Sequence, residues 1–100
     1  MTTSEKVEFE NELVRVTRVI VGAFDTHHVP ARHPRVVISL TNEIERRTEP
    51  GGRCDEIQRK AGTVVFREAS AGHSIENTAS DYHEVIIVEI KPHKRENGGE

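Results

Sequence analysis

The run ELVRVTRVIVGAF, residues 12 to 24, sets Leu13, Arg15, Thr17, Val19 and Val21 against Val14, Val16, Arg18 and Ile20. That is a period of two, and it is incompatible with an amphipathic helix, whose apolar positions recur every three to four residues. The same signature returns along the chain. RVVISLT (35–41) is a β-branched run, and after a turn at Thr41-Asn42 comes EIERRT (43–48), with a weaker alternation. RCDEIQRK (53–60) lies between the turn EPGG (49–52) and a break at Ala61-Gly62. TVVFRE (63–68) and HSIENT (73–78) flank the small-residue stretch ASAG, and HEVIIVEIK (83–91) alternates until Pro92 stops it. Short segments about ten residues apart, with turn residues between them, predict an all-β chain folded as a small antiparallel barrel or jelly roll.

One hundred residues suffice for one domain with a modest core. We expect that domain over residues 1–91 and a disordered tail over 92–100, where KPHKRENGGE loses all alternation. Apolar residues make up 34% of the chain and charged ones 31%, with a net charge of −3 spread along its length. No basic face points to nucleic acid. No apolar run approaches the ~20 residues needed to cross a bilayer, so no membrane partner is expected. MTTSEKVEFE lacks the basic start and apolar stretch of a secretory signal, and Cys54 is the only cysteine. Both features predict a reducing, cytoplasmic setting. The N-terminal KVEFENELVRV offers more strand than one small sheet needs, which predicts a homodimer formed through its free edge.

The densest chemistry lies in THHVPARHPR, residues 26 to 35, with three of the six histidines and two arginines. Imidazoles can hold a transition metal. Arg32 and Arg35 offer planar forks of donors that match a carboxylate or phosphate. Alternatively, the stretch is a solvated loop, because its two prolines exclude a regular central strand. Elsewhere, Cys54 lacks a neighbouring base, and Arg67-Glu68 reads as a solvated pair whose glutamate could reach a site. Tyr82-His83 reads as edge packing, and Ser74 lacks the G-x-S-x-G context of a hydrolase.

KAGTVVFREASAGHSIENT, residues 60 to 78, resembles the second motif of the cupin family, G-x5-P-x-G-x2-H-x3-N. Gly62 matches the opening glycine, and His73 with Asn77 matches the closing H-x3-N. Glu68 stands where proline is usual, and Gly72 directly precedes the histidine. The resemblance extends in order of elements from about Glu12 to Lys91. It implies a small β-barrel whose mouth, in active members, holds a divalent metal through two histidines and a glutamate of the first motif and one histidine of the second. The first motif, G-x5-H-x-H-x3,4-E-x6-G, departs here. Starting at Gly22 places His28 on the first histidine, Pro30 on the second and Pro34 or Arg35 on the glutamate. Taking His33 as the second histidine places Ala31 on the first. A third register sets Val29, Ala31 and Arg35 on the three ligand positions.

The resemblance therefore implies a pocket at the barrel mouth bordered by His28, His33, Arg35, His73 and Asn77. Its expected function is binding or transforming a small organic molecule, an anionic one if Arg35 replaces the glutamate. The alternative is a metal-dependent dioxygenase, isomerase or lyase, with iron, nickel, manganese, copper or zinc on His28, His33 and His73. A non-catalytic sensing or interaction module is the third.

Overall fold

The computed structural model describes residues 2–92, so the expected disordered tail lies, except for Pro92, outside the described residues. The described residues form nine strands and no helix: β1 (Ser4–Glu10), β2 (Val14–Val21), β3 (Thr26–Val29), β4 (Arg35–Ser39), β5 (Glu43–Thr48), β6 (Cys54–Arg59), β7 (Val64–Arg67), β8 (His73–Asn77) and β9 (His83–Ile90). They make two antiparallel sheets, one of order β1-β2-β9-β4-β7 and one of order β3-β8-β5-β6. The all-β antiparallel barrel expected from the periodicity is what forms.

Two boundaries differ from the sequence reading. The long strand over 12–24 contracts to β2, because the Asn11 side chain accepts the Leu13 and Val14 N–H groups at 2.8 and 3.0 Å and turns the chain between β1 and β2. THHV, read as part of an irregular loop, is a strand at the edge of the four-stranded sheet, paired with β8. Pro30 ends it, and an edge tolerates a neighbouring proline because only one side of the strand must donate. Gly62 sits at φ +90 in the turn between β6 and β7, a conformation that a side chain disfavours.

Val19, Val21, Ile75, Val85 and Ile87 form the buried core, with Val29 and Val37 packed against it. The core is small because charged side chains share the inward positions. Across the five-stranded sheet, one row of paired residues on the inward side reads Glu10, Arg15, Glu89, Arg35, Arg67, exposed at its Glu10–Arg15 end and buried at Glu89 and Arg35. On the opposite face a row reads Phe9, Val16, Val88, Val36, Phe66. This row makes an apolar stripe on the outer face, with Phe9, Phe66 and Ile90 about half exposed, while Arg18 of the same face pairs with Glu8 and Glu84.

Asn77 is fully buried and does not line the cavity, contrary to its expected place in the pocket. Its amide donates to the carbonyls of Val21, Gly22 and Asp81, and its carbonyl accepts the Ala79 N–H at 2.9 Å. It clamps the end of β2 and the turn before β9 onto β8. Asn77→Ala strands those carbonyls away from water and should cost roughly 2–4 kcal/mol in urea unfolding, with no change in ligand affinity once folded.

Candidate functional site

The two sheets enclose a cavity of ≈ 60 Å³, room for roughly four waters or a ligand of a few heavy atoms. Its middle is apolar, from Val19, Val37, Ile75, Val85 and Ile87. Polar groups occupy both ends.

At one end stand Arg32, Arg35, Arg47, Arg67 and His73. Arg35 opens β4 directly opposite Arg67 on β7, with Glu89 opposite it on its other side. Buried, Arg35 donates to the carbonyls of His33 at 3.3 Å and Glu68 at 3.0 Å. Its pKa is lowered by burial first, then by the charges of Arg32 and Arg67. Arg32 is tied to Glu5 at 2.6 Å and lies 3.7 Å from Glu89. Among the described residues, Arg35, Arg47 and Arg67 have no carboxylate within ion-pair distance. Nε of Arg32, Nε of Arg47 and one Nη of Arg67 are buried without a hydrogen-bond partner. His73 faces the cavity at the start of β8, and burial holds its pKa below the ordinary imidazole value, assisted by Arg35 and Arg67. It is a neutral donor and acceptor beside positive charge.

At the other end stand Glu43, Glu45, Arg59 and His83. Glu43 pairs with Arg59 at 3.2 Å. Glu45 lies 3.6 Å from His83 Nε2, and both side chains are almost wholly buried. Burial, followed by the Glu43 charge, pushes Glu45 up to about 7. Burial lowers His83. The sequence reading missed this end. Tyr82-His83 was expected as edge packing, but His83 opens the strand that runs through the middle of its sheet. Arg67 and Glu68 exchange their expected roles: Arg67 faces the cavity and Glu68 is exposed. The missed signal was the alternation Glu43, Glu45, Arg47, which a hydrophobicity pattern reads backwards.

The expected metal donors do not converge. His28 pairs in register with Ser74 and bonds its hydroxyl at 2.9 Å, whereas His73 pairs with Val29. Adjacent residues on a strand face opposite ways, so His28 and His73 point to opposite sides of the sheet. His33 lies outside the cavity lining and uses its backbone, its N–H reaching Glu89 Oε2 at 3.1 Å. His27 binds Glu5 at 2.7 Å. Among the described residues no three His, Cys, Asp or Glu side chains are grouped to hold a metal. The only motif histidine in the cavity stands beside arginines, so the donor set does not fit a cation. Cys54 is exposed, and no helix among the described residues is long and apolar enough to cross a membrane.

The raised Glu45 pKa has a consequence for stability. The native state holds this proton up to about pH 7, whereas an unfolded glutamate releases it near 4.5, so native stability from this group falls as pH rises between those values. Glu43, Arg59, Arg67 and His83 surround it and are shared by wild type and variant. Glu45→Gln should therefore gain on wild type between about pH 4.5 and 7, reaching on the order of 3 kcal/mol above pH 7 in paired urea melts.

No family model matches the sequence, and no curated protein matches it. Solved structures do. A cupin domain from Bordetella pertussis is 21% identical, with a TM-score of 0.81 over 90% of this chain and 94% of that one. The cupin domain of an XRE family transcriptional regulator from Enterobacter cloacae is 12% identical, with a TM-score of 0.71 over 93% of this chain and 100% of that one. The polyketide cyclase RemF from Streptomyces resistomycificus is 15% identical, with a TM-score of 0.63 over 88% of this chain and 64% of that one. With nine antiparallel strands closing on an inward-facing His73, this likeness of architecture makes the chain a protein of the cupin fold, the double-stranded β-helix.

Proposed function

We propose that the barrel binds a small organic anion, a carboxylate held between Arg35, Arg67 and Arg47 with His73 as a neutral hydrogen-bond partner. The observation that carries this is the cross-strand pair Arg35–Arg67. Like charges directly opposite one another repel, and here burial removes the water that would screen them. Guanidinium N–H groups left without partners on Arg32, Arg47 and Arg67 supply the donors that a carboxylate accepts. A negatively charged guest removes the repulsion and the unmet hydrogen bonds together.

The cavity volume limits the guest to a small organic acid. Binding alone makes a sensing module, the role consistent with the likeness to a transcriptional regulator's domain. The exposed thiol of Cys54 fits a reducing, cytoplasmic setting.

We propose, second, that the protein is a homodimer, with the outer face of the five-stranded sheet rather than the edge of β1 as its contact. The row Phe9, Val16, Val88, Val36, Phe66 runs the full width of the sheet with no charge in it. Five strands about 4.8 Å apart, of four to eight residues and so roughly 20 Å long on average, give a face on the order of 500 Å² per copy. Two such faces bury about 1,000 Å², the lower bound for a specific interface. A second copy of the same face is the occupant that matches this apolar row in polarity.

Oxalate or malonate should stabilise the folded protein. At ten times Kd the gain is about 1.4 kcal/mol, a rise in Tm on the order of 5–10 °C for a domain of this size, and Arg67→Leu should abolish it. Zinc, nickel and iron should leave Tm unchanged; a metal-dependent rise lost in His73→Ala would restore the metal reading instead. Light scattering at micromolar concentration should give the dimer mass for wild type and the monomer mass for Val88→Lys. A monomeric wild type overturns the assembly.

A further inference from the structure

The arginine end accounts for only half of the cavity, and the opposite end has groups that anion binding does not use. Glu43 and Glu45 face inward from β5, Arg59 from β6 and His83 from β9. Arg59 neutralises Glu43 through one carboxylate oxygen, leaving the other buried with no hydrogen-bond partner. Nδ1 of His83 is likewise buried and unpartnered, while its Nε2 faces Glu45 Oε1 at 3.6 Å. Between the two ends lies the apolar band of Ile75, Val85 and Ile87. An anion anchored by the arginines would set its carbon skeleton against that band and its far atoms against Glu45.

We propose that the cavity is a proton-transfer site for small 2-oxo acids, in which the arginines hold the carboxylate and Glu45, backed by His83, moves a proton at the carbon beyond the oxo group. This rests on the anion-binding reading. In the forward step the Glu45 carboxylate takes a proton from that carbon. The C–H electron pair becomes the carbon–carbon double bond of an enolate, and the former C=O π pair moves to the oxo oxygen as negative charge. That charge develops in a cavity bearing Arg59 and Arg67. In the reverse step Glu45 returns the proton to the same carbon, and the ketone is restored. Nothing is oxidised or reduced, and no co-reactant is consumed.

The environment of Glu45 suits this task. Glu43 on its own strand opposes its ionisation along with burial, while Arg59 from β6 and Arg67 from β7 favour it, and His83 faces it from β9. The balance leaves the carboxyl close to half ionised at neutral pH, where a group is most effective at both taking and returning a proton. His83, neutral and almost wholly buried, is a positioning residue that can accept or donate at either nitrogen.

The test is exchange of the hydrogens of pyruvate, 2-oxobutyrate and oxaloacetate for deuterium, followed by proton NMR in deuterated buffer near neutrality with the full chain. Wild type should accelerate loss of the signal at the carbon beyond the oxo group at least tenfold over buffer for one or more of the three. Glu45→Gln should exchange at the buffer rate while still being stabilised by oxalate, and Glu45→Asp, whose carboxylate is one methylene shorter, should retain part of the acceleration. Oxalate stabilisation of wild type with no accelerated exchange of any of the three overturns the proton-transfer proposal and leaves anion binding standing. Equal acceleration by Glu45→Gln also overturns it. Absence of oxalate stabilisation in wild type overturns the binding reading and this proposal with it.

Discussion

A carboxylate buried to 1% exposure near the end of the most enclosed strand organises the site. Glu89 sits between Arg15 and Arg35 in the inward row of the five-stranded sheet, 3.7 Å from Arg15 and 3.7 Å from Arg32, and it accepts the His33 N–H. One side chain thereby ties β9 to the segment leading into β4 and sets a carboxylate beside the buried Arg32 and the partly exposed Arg15. The next backbone bond along β9, Ile90 N–H to Pro34 carbonyl at 2.8 Å, closes the same junction. Removing one partner of such a buried network leaves an uncompensated charge, which typically costs several kcal/mol. Signs alternate along the row from Glu10 to Arg35, and Arg67 breaks the alternation. The surplus positive charge of the cavity begins there.

The same inversion explains the distribution of apolar residues. Sandwich and barrel sheets usually turn their apolar face inward and their charges outward. Here glutamates and arginines take inward positions on β4 to β7 and β9, while Val64, Phe66 and Ile44 are exposed. Among the described residues five apolar side chains form the buried core, and they share the interior with paired charges and with Asn77, which clamps three carbonyls. Glu5 adds a strap, binding His27 on β3 and Arg32 from β1 and so crossing between the sheets. Its pKa is held below the usual carboxylate value, chiefly by the bond to His27.

The architecture was legible because strand periodicity depends on which residues alternate, whichever face they take. Seven of the nine strands follow the period-two segments; β3 escaped because Pro30 and Pro34 argued against a strand, and the extent of β1 was blurred by the turn at Asn11. His73 was placed in the cavity by its motif position, and Arg35 by one of three registers. Asn77 matched the motif yet serves backbone carbonyls, since inward on a strand does not mean open to a cavity. Glu43, Glu45, Arg47 and Arg59 were illegible as site residues, because a charge on a short strand reads as solvated until the opposite sheet is known to cover it. His83 was missed for the same reason.

The arginines and the missing metal ligands are two aspects of one electrostatic change. A divalent cation requires negative or neutral donors around it, and Arg35 with Arg67 opposite it would repel any such ion while His73 offers a single nitrogen. Once the cavity carries fixed positive charge, a histidine on β3 gains nothing by facing inward, and His28 spends its Nδ1 on Ser74 at the outer surface. A metal centre can be emptied or exchanged, whereas guanidinium groups keep their charge at every physiological pH. In the proposed anion site, selectivity would rest on the far end, where Glu45 changes charge near neutrality. An ionised Glu45 opposes a second negative group on the guest, and a protonated one can donate to it. Under the anion-binding proposal the cavity would distinguish guests by what lies beyond their carboxylate, and that distinction would vary with pH although the arginine anchor would not.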